Sequence, residues 1–521
     1  MSAPRGPDRD RGRRRRRSHP LRRFALGSLV IVLCTTIAIS VGALGVVSTI
    51  AADFALAGKP LDSRYLTPAK PGAAETILVI GDDHIGPTTT YANGAEQTVD
   101  GAHLLHADTF MLVRMDPSQE QTSIISIPRD LLVNFTWHGQ PYSGKFNSTY
   151  SLGGVDLVKK VALSLMPGLT INHVIDFNFN AFTGLIDAIG CVYIDVDHRY
   201  YNPPGGSYQP INVQAGYQRL CGEPALAYVR YRHTDSDFVR VARQQDFIRQ
   251  AKEQLGVWGF LSKWQSLAKA FGKAVGTDIR GDHTILNLLN LVAFSQSKAV
   301  REVHFLVNNT DYVVQTSQGL ADTVTSTPQL IKQSLDNFLY IHPPAPTVEQ
   351  AAASSGAGAT ASAHHHHHVT KVVLHGLAAE DLYPLSSGVT TQALELSAHV
   401  PFQVYLPSVQ TGPAVPNDFH PYRVGDLQHH WRYGYRVDWQ VGAGLYYGFE
   451  GVNWTNLPLF ANPSATETIG GRTYLFVNDG ANIQYVGWRQ GHDLYWVSND
   501  LLDTLSPRQM LDLAESAQPV R

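Results

Sequence analysis

Charge is scarce in this chain. Asp, Glu, Lys and Arg together make up 16% of 521 residues, and no lysine occurs between Lys160 and Lys252. Cysteine is scarcer, with three in all. That number excludes a disulfide-dense scaffold, and the neighbourhoods of the three match neither a zinc-binding nor a nucleophilic-cysteine pattern. There is no G-x-x-x-x-G-K-[S/T] run and no G-x-G-x-x-G, so no glycine cradle for a nucleotide's phosphates is present. A helix-turn-helix signature is also missing, which leaves nucleic acid without a reader.

The N-terminus is a different matter. Residues 1–23 hold ten arginines against two aspartates, a balance of +8, so the remainder carries −11 of the overall −3. The stretch FALGSLVIVLCTTIAISVGALGVVSTI, residues 24–50, follows without a charge. Its length suits one helical crossing of a bilayer, and the arginine flank should remain cytoplasmic. The alternative is a cleaved signal peptide, with an Ala-X-Ala-like site near Ala55 to Ala57. The expectation is a single-span membrane protein with its bulk outside. Cys191 and Cys221 then lie where oxidation is permitted, either bridged across the YYNPPGGSYQP excursion or as two separate thiols.

Residues 51–74 read as a connector, and 75–342 as one domain. TILVIGDD (76–83), TFMLVRMDP (109–117), TSIISIPRD (122–130), CVYIDVDH and VREVHFLV (300–307) have the β-branched apolar character of strands. GGVDLVKKVALSLMPG, AFTGLIDAIG and DFVRVARQQDFIRQAKEQLG have the helical period. Strands alternating with helices predict a layered α-β-α domain. PPAPTVEQAAASSGAGATASAHHHHH, residues 343–368, has linker composition. Residues 369–521 carry short aromatic strands and a terminal helix opened by Ser506 and Pro507, which predicts a smaller α+β or mostly β domain. Its tryptophans and tyrosines suit either a core or a sugar-stacking surface.

The segment VRYRHTDSDFVRVARQQ, 229–245, concentrates four arginines. Arginine without lysine suits bidentate recognition of phosphate or carboxylate. Were Arg230 and Arg232 in a strand they would share a face. Arg240 and Arg243 are three apart, and Gln244 follows, giving one helical edge; Asp237 is placed to cap that helix. Arg129 in SIPRD and Lys145 in KFN add cations. Asp82, Asp83 and Asp108 cluster at strand ends, where one or two carboxylates with phosphate oxygens hold Mg²⁺. Together these suit a metal-bound diphosphate, whose transfer needs positioning and charge neutralisation more than a nucleophilic side chain.

ILVIGDD, ADTFMLVRMDP, TSIISIPRD, KFN, VIDFNFNAFTGLIDAIG and GEPALAYVRYRHTDSDFVRVARQQ, in that order, resemble the LytR-CpsA-Psr (LCP) family of wall-polymer ligases. The resemblance covers roughly residues 75 to 256, and more weakly to about 310. It implies transfer of a glycopolymer from a polyprenyl-diphosphate carrier to peptidoglycan, forming a phosphodiester outside the membrane. By position it implies Mg²⁺ on Asp83 and Asp108, and a diphosphate grip by Arg129, Arg230, Arg232 and Arg240 with Gln244, Lys145 and Arg243 as further substrate contacts. Asp237 would orient an arginine or take the acceptor's proton. The polyprenyl chain would lie between the helices around Leu157 to Leu165 and Phe182 to Ile189. The chain departs from the family pattern where Ile85 and His106 replace arginines, and Asp82 stands in a serine position as a rival metal ligand. Those departures keep a second reading open, a non-catalytic membrane-tethered protein that binds polyprenyl lipid or wall glycan.

Overall fold

The computed structural model describes residues 59–82, 88–90, 96–98, 107–205, 210–231, 236–271, 275–296, 300–341, 382–412, 414–479 and 482–521. The apolar run 24–50, the linker 343–368, Asp83, Ile85, His106 and Arg232 lie outside them.

The first sheet has seven strands: β1 (Lys59–Pro60), β2 (Glu75–Asp82), β3 (Ala107–Asp116), β4 (Gln121–Ser126), β5 (His173–Asn178), β6 (Val275–Thr277) and β7 (Val300–Val303), in the order β1-β6-β5-β2-β3-β4-β7. β2 runs antiparallel to β3 and parallel to β5. Strand alternation divides its side chains between two layers. Leu78, Ile80, Phe110, Leu112 and Ile125 pack on Val158 and Val161 of α1 (Ser148–Leu165) and on Ile331 and Leu335 of α6 (Pro328–Leu339). On the other face, Met111, Val79 and Val113 meet Ile248 of α4 (Asp237–Phe271), and Ile77 and Met115 meet Leu288 and Leu291 of α5 (Asp282–Gln296). This is the α-β-α layering that the alternating pattern predicts. Each such aliphatic side chain contributes roughly 1.5–3 kcal/mol through burial.

Two details differ from the sequence reading. The part of the connector that is described belongs to the domain: β1 pairs with β6, and the Lys159 ammonium donates to the carbonyl of Asp62 at 2.6 Å. α1 starts at Ser148, but Gly154 has φ 59° and ψ −155°, so the regular helix runs from Val155, just after the glycine pair. Only glycine adopts that conformation without strain.

A subsidiary body sits beside the sheet. Strands Val192–Val196 and Gly216–Leu220 form an antiparallel pair, packed on α2 (Phe179–Ile189) and α3 (Gly222–Arg230). Cys191 and Cys221, 30 residues apart, are joined in a disulfide that ties this pair to the start of α3.

The C-terminal region is a seven-stranded antiparallel sheet: β8 (Val415–Gly425), β9 (Trp431–Gly442), β10 (Leu445–Val452), β11 (Ala465–Ile469), β12 (Arg472–Asp479), β13 (Asn482–Gln490) and β14 (Asp493–Ser498), ordered β8-β9-β10-β14-β13-β12-β11. One face carries Tyr435, Val437, Trp439, Phe449 and Trp488 beneath α7 (Ser387–Ser397) and α8 (Pro507–Glu515). Ser506 caps α8 in a capping box with Gln509. The opposite face, with Tyr422, Trp454, Tyr485 and Trp496, packs on Tyr193 and Tyr217 of the disulfide-tied pair. Gly216, at φ 90°, lets Tyr422 approach so closely that a Cβ there would lie 2.3 Å from its ring. Trp439, Trp488 and Trp496 are fully buried and belong to the core, whereas Trp431 and Tyr433 of β9 stay exposed.

Candidate functional site

β2 ends where β3 begins: Asp82 is the Cα partner of Ala107 and also of Asn178 at the end of β5. The turn after β4 delivers Arg129 to this edge, and the N-terminus of α4 arrives from the other side. Ser236 caps α4, its hydroxyl accepting from the Val239 amide at 3.3 Å. The cap is therefore Ser236, not Asp237. A hydroxyl in the cap position leaves the next carboxylate at liberty to turn toward the sheet.

Asp237 uses that liberty to meet two guanidinium groups. Arg129 Nε donates to Asp237 Oδ2 at 2.9 Å, and Arg240 Nη2 lies 3.2 Å from Oδ1. Arg129 Nη1 reaches Asp108 Oδ1 at 2.5 Å, and its Nε lies 3.2 Å from Asp130 Oδ2. Asp130 also takes the Lys145 ammonium at 2.8 Å. Arg129, with a side chain 13% exposed, sits at the centre; Asp108, at 38%, is the carboxylate most open to solvent. Gln244, one turn further along α4, braces the edge, its amide donating to the carbonyl of Val229 at 3.1 Å and its oxygen accepting from Thr109 at 3.3 Å.

The two half-buried carboxylates, Asp130 and Asp237, differ in proton affinity. Burial pushes Asp130 up, and its hydrogen bond with Asp237 pushes the same way. Asp237 is buried too, yet the charges of Arg240 and Arg129 hold it well below the usual carboxylate range. Asp237 is thus the more firmly ionised of the pair, and Asp130 the one that holds a proton more tightly.

Arg230 ends α3, so the strand face shared with Arg232 is not formed; the segment is helical through Arg230. The Arg230 guanidinium lies 3.7 Å from the ring centroid of Phe179, at the start of α2, a cation–π contact that fixes the plane of the fork. Arg243 departs further from its expected substrate contact. It is fully buried, donating through Nη1 to the Tyr231 carbonyl at 3.1 Å and through Nε to the Tyr200 hydroxyl at 3.1 Å. It stands behind the site.

Asp83 and Arg232 are outside the described residues, and among the described residues no group of three or more His, Cys, Asp or Glu is placed to hold a metal ion. Asp82 turns inward, where its carboxylate accepts from the Tyr150 hydroxyl at 3.0 Å; Tyr150 is also 3.0 Å from Asp176. Burial keeps Asp82 from competing at the solvent-facing edge. The donor that fits a hard cation in kind is Asp108, a partly exposed carboxylate at the start of β3, beside the end of β2.

Sequence reasoning missed Asp130, Thr109 and Phe179. For Asp130 a signal existed, since it follows Arg129 directly in SIPRD. Nothing local marks Phe179 as the support for Arg230, 51 positions later. The helices assigned to a polyprenyl tunnel fall in separate apolar clusters: Leu157, Val158 and Val161 in the sheet's core, Phe182 and Ile186 with Leu226 and Phe247. Phe182, Leu185 and Ile189 stay half-buried on α2, the helix that begins with Phe179.

A three-layer domain with an arginine and carboxylate cluster at one sheet edge is the class defined so far. The model of the LytR_cpsA_psr family matches residues 55–330, more than half the chain. The chain belongs to that family. It is 31% identical over 175 residues to the polyisoprenyl-teichoic acid–peptidoglycan teichoic acid transferase TagT of Bacillus subtilis, covering 33% of this chain and 50% of that protein. It is 30% identical over 210 residues to the probable cell wall biosynthesis protein LcpB of Corynebacterium glutamicum, covering 40% and 48%. The chain thus spans about half the length of the curated relatives it matches. Among solved structures, B. subtilis TagV aligns with a TM-score of 0.41 at 20% identity, over 52% of this chain and 97% of that one.

Proposed function

We propose that this protein transfers a glycopolymer from a polyprenyl-diphosphate carrier to a hydroxyl of peptidoglycan, on the outer side of a membrane that residues 24–50 span. The observation that carries this reading is Arg129, held between Asp108 and Asp237 with Arg240, Lys145 and Arg230 around the same edge. Such a cluster neutralises a diphosphate while the half-buried flank of α2 receives the apolar chain. The acceptor oxygen attacks the phosphorus that bears the sugar polymer. The phosphoanhydride bond breaks, and the polyprenyl monophosphate leaves. The acceptor's proton passes to a carboxylate, and the environment of Asp130 fits that task better than that of Asp237, which serves to orient Arg129 and Arg240. Mg²⁺ held by Asp108 and Asp83 would add charge neutralisation at the phosphate oxygens.

Ile85 and His106, where the family has arginine, keep a binding-only role as the second reading. The full chain in detergent, given a polyprenyl-diphosphate oligosaccharide, peptidoglycan fragments and Mg²⁺, separates the two. Mass spectrometry should find a phosphodiester-linked product that EDTA abolishes. Retention of lipid without product, across several polymers, would leave only the binding role.

A further inference from the structure

A continuous buried chain of polar groups joins the C-terminal sheet to the end of α3. It starts at Arg436 in β9, which is fully buried among carboxylates. Arg436 Nη1 donates to Asp195 Oδ1 at 2.9 Å, and its Nε donates to the backbone carbonyl of Asp197 at 2.8 Å. Trp496 of β14 donates its indole N–H to the other Asp195 oxygen at 3.1 Å. The Asp197 carboxylate accepts from the Tyr200 hydroxyl at 2.5 Å, and His198 lies 3.1 Å from its second oxygen while stacking on Tyr446 of the C-terminal sheet at 4.1 Å. Tyr200 accepts from Arg243 Nε and presents its ring 4.4 Å from that guanidinium. Arg243 then holds the carbonyls of Tyr228 and Tyr231, at 3.4 and 3.1 Å, on either side of Arg230.

Each member is buried, and each link joins a charged group to a fixed partner. In a low-dielectric interior such a chain resists rearrangement, because releasing any one member leaves a buried group unsatisfied. We infer that the C-terminal sheet is a positioning element of the substrate site, acting through Arg436, Asp197, Tyr200 and Arg243 to fix the end of α3 that presents Arg230. This rests on the proposed role of Arg230 as a diphosphate contact. It makes the C-terminal domain, whose aromatics suit a core or a stacking surface by sequence, part of the site's frame.

The variants of choice are Tyr200→Phe, which removes one hydroxyl and keeps the ring under Arg243, and Asp197→Asn, which keeps the shape. Amide exchange in the full chain should rise about tenfold at Tyr228 to Tyr231 in both, with exchange in β2 and β3 unchanged. Affinity for a polyprenyl diphosphate should fall about three- to tenfold, seen as a higher KM more than a lower kcat. Unchanged exchange at Tyr228 to Tyr231 in both folded variants would overturn the inference. Should the wild type bind no polyprenyl diphosphate, the functional reading fails while the exchange result still decides the mechanical coupling. If a variant does not fold, Tyr446→Leu, which removes the stacking on His198 from the other side, repeats the test.

Discussion

Arg129 Nε donates to Asp237 Oδ2 at 2.9 Å, joining the turn after β4 to the first residue of α4 across 108 positions of sequence. With the Thr109–Gln244 hydrogen bond, this contact sets the separation of the sheet edge from the helix carrying Arg240 and Gln244. It holds Arg129 among the carboxylates of Asp108, Asp130 and Asp237, which in the proposed reaction a diphosphate would displace.

Arg129→Ala should therefore abolish binding of polyprenyl diphosphate and lower transfer by 100-fold or more, at about 3 kcal/mol for a charge-assisted contact to phosphate. Arg129→Lys should restore little, because a point charge cannot bridge Asp108 and Asp237 as a fork does. Isothermal titration with the lipid, with circular dichroism as the check on folding, decides the matter. Binding unchanged in both variants would remove Arg129 from the site.

The division of proton affinity between Asp130 and Asp237 makes a pH-dependent claim. Activity should climb with pH as Asp130, whose proton is held more tightly than in an ordinary carboxylate, becomes ionised. Asp130→Asn should flatten that acid limb and cost roughly 10²–10⁴-fold in kcat. Asp237→Asn should instead weaken substrate binding and leave the limb in place. A profile of kcat against pH that keeps its acid limb in Asp130→Asn would transfer the proton to another group.

His173 supplies a stability signature away from the site. Burial alone would lower its affinity for a proton, but Asp278 at 2.8 Å and Glu75 at 3.4 Å raise the imidazole to about 9. With the folded value above the unfolded value of about 6.5, the stabilisation is complete below pH 6.5 and is lost as pH rises toward 9. The loss should approach about 3 kcal/mol, from roughly two and a half pH units at 1.36 kcal/mol each. Denaturant titrations at pH 6 and pH 9.5 should differ by that much in the wild type and far less in His173→Gln. An equal difference in both would assign the effect elsewhere.

The Cys191–Cys221 bridge closes a loop of 30 residues that holds the strand pair against α3. On the chain-entropy model, Cys191→Ser with Cys221→Ser should cost about 3–4 kcal/mol. Scanning calorimetry should register a drop in Tm of roughly 5–15 °C, reproduced in the wild type by reductant. A Tm insensitive to both would mean that packing around Ile194 and Leu226 holds the body by itself.

Much of this architecture is legible in the sequence because strand alternation leaves a visible mark. Ile77 and Leu78, or Met111 and Leu112, point to opposite layers, and both layers are apolar, so the runs read as buried strands. The motif residues Arg129, Asp108, Asp237, Arg240, Lys145 and Gln244 do meet at one edge. What fails is information held in long-range partners. Tyr231 and Val229 suggest extended backbone, yet packing in the cluster with Ile194 and Phe247 keeps the chain helical to Arg230. Arg243 resembles its neighbours in composition, and Tyr200, 43 positions earlier, with the carbonyls of Tyr228 and Tyr231, holds it away from solvent. The C-terminal aromatics carry the same ambiguity, and only the structure separates buried Trp439, Trp488 and Trp496 from exposed Trp431.

The close fit of Tyr422 over Gly216, with Tyr193 and Tyr217 stacked nearby, bears on how the polypeptide is made. Until β8 to β14 have emerged, the strand pair shows two bare tyrosine rings and an Asp195 that lacks its arginine. A chain halted after α6 would carry that adhesive surface permanently. Sedimentation of the fragment 59–342 beside the full chain should show self-association in the fragment alone. The C-terminal sheet thus covers an apolar face and a carboxylate that the first half would otherwise present to its surroundings.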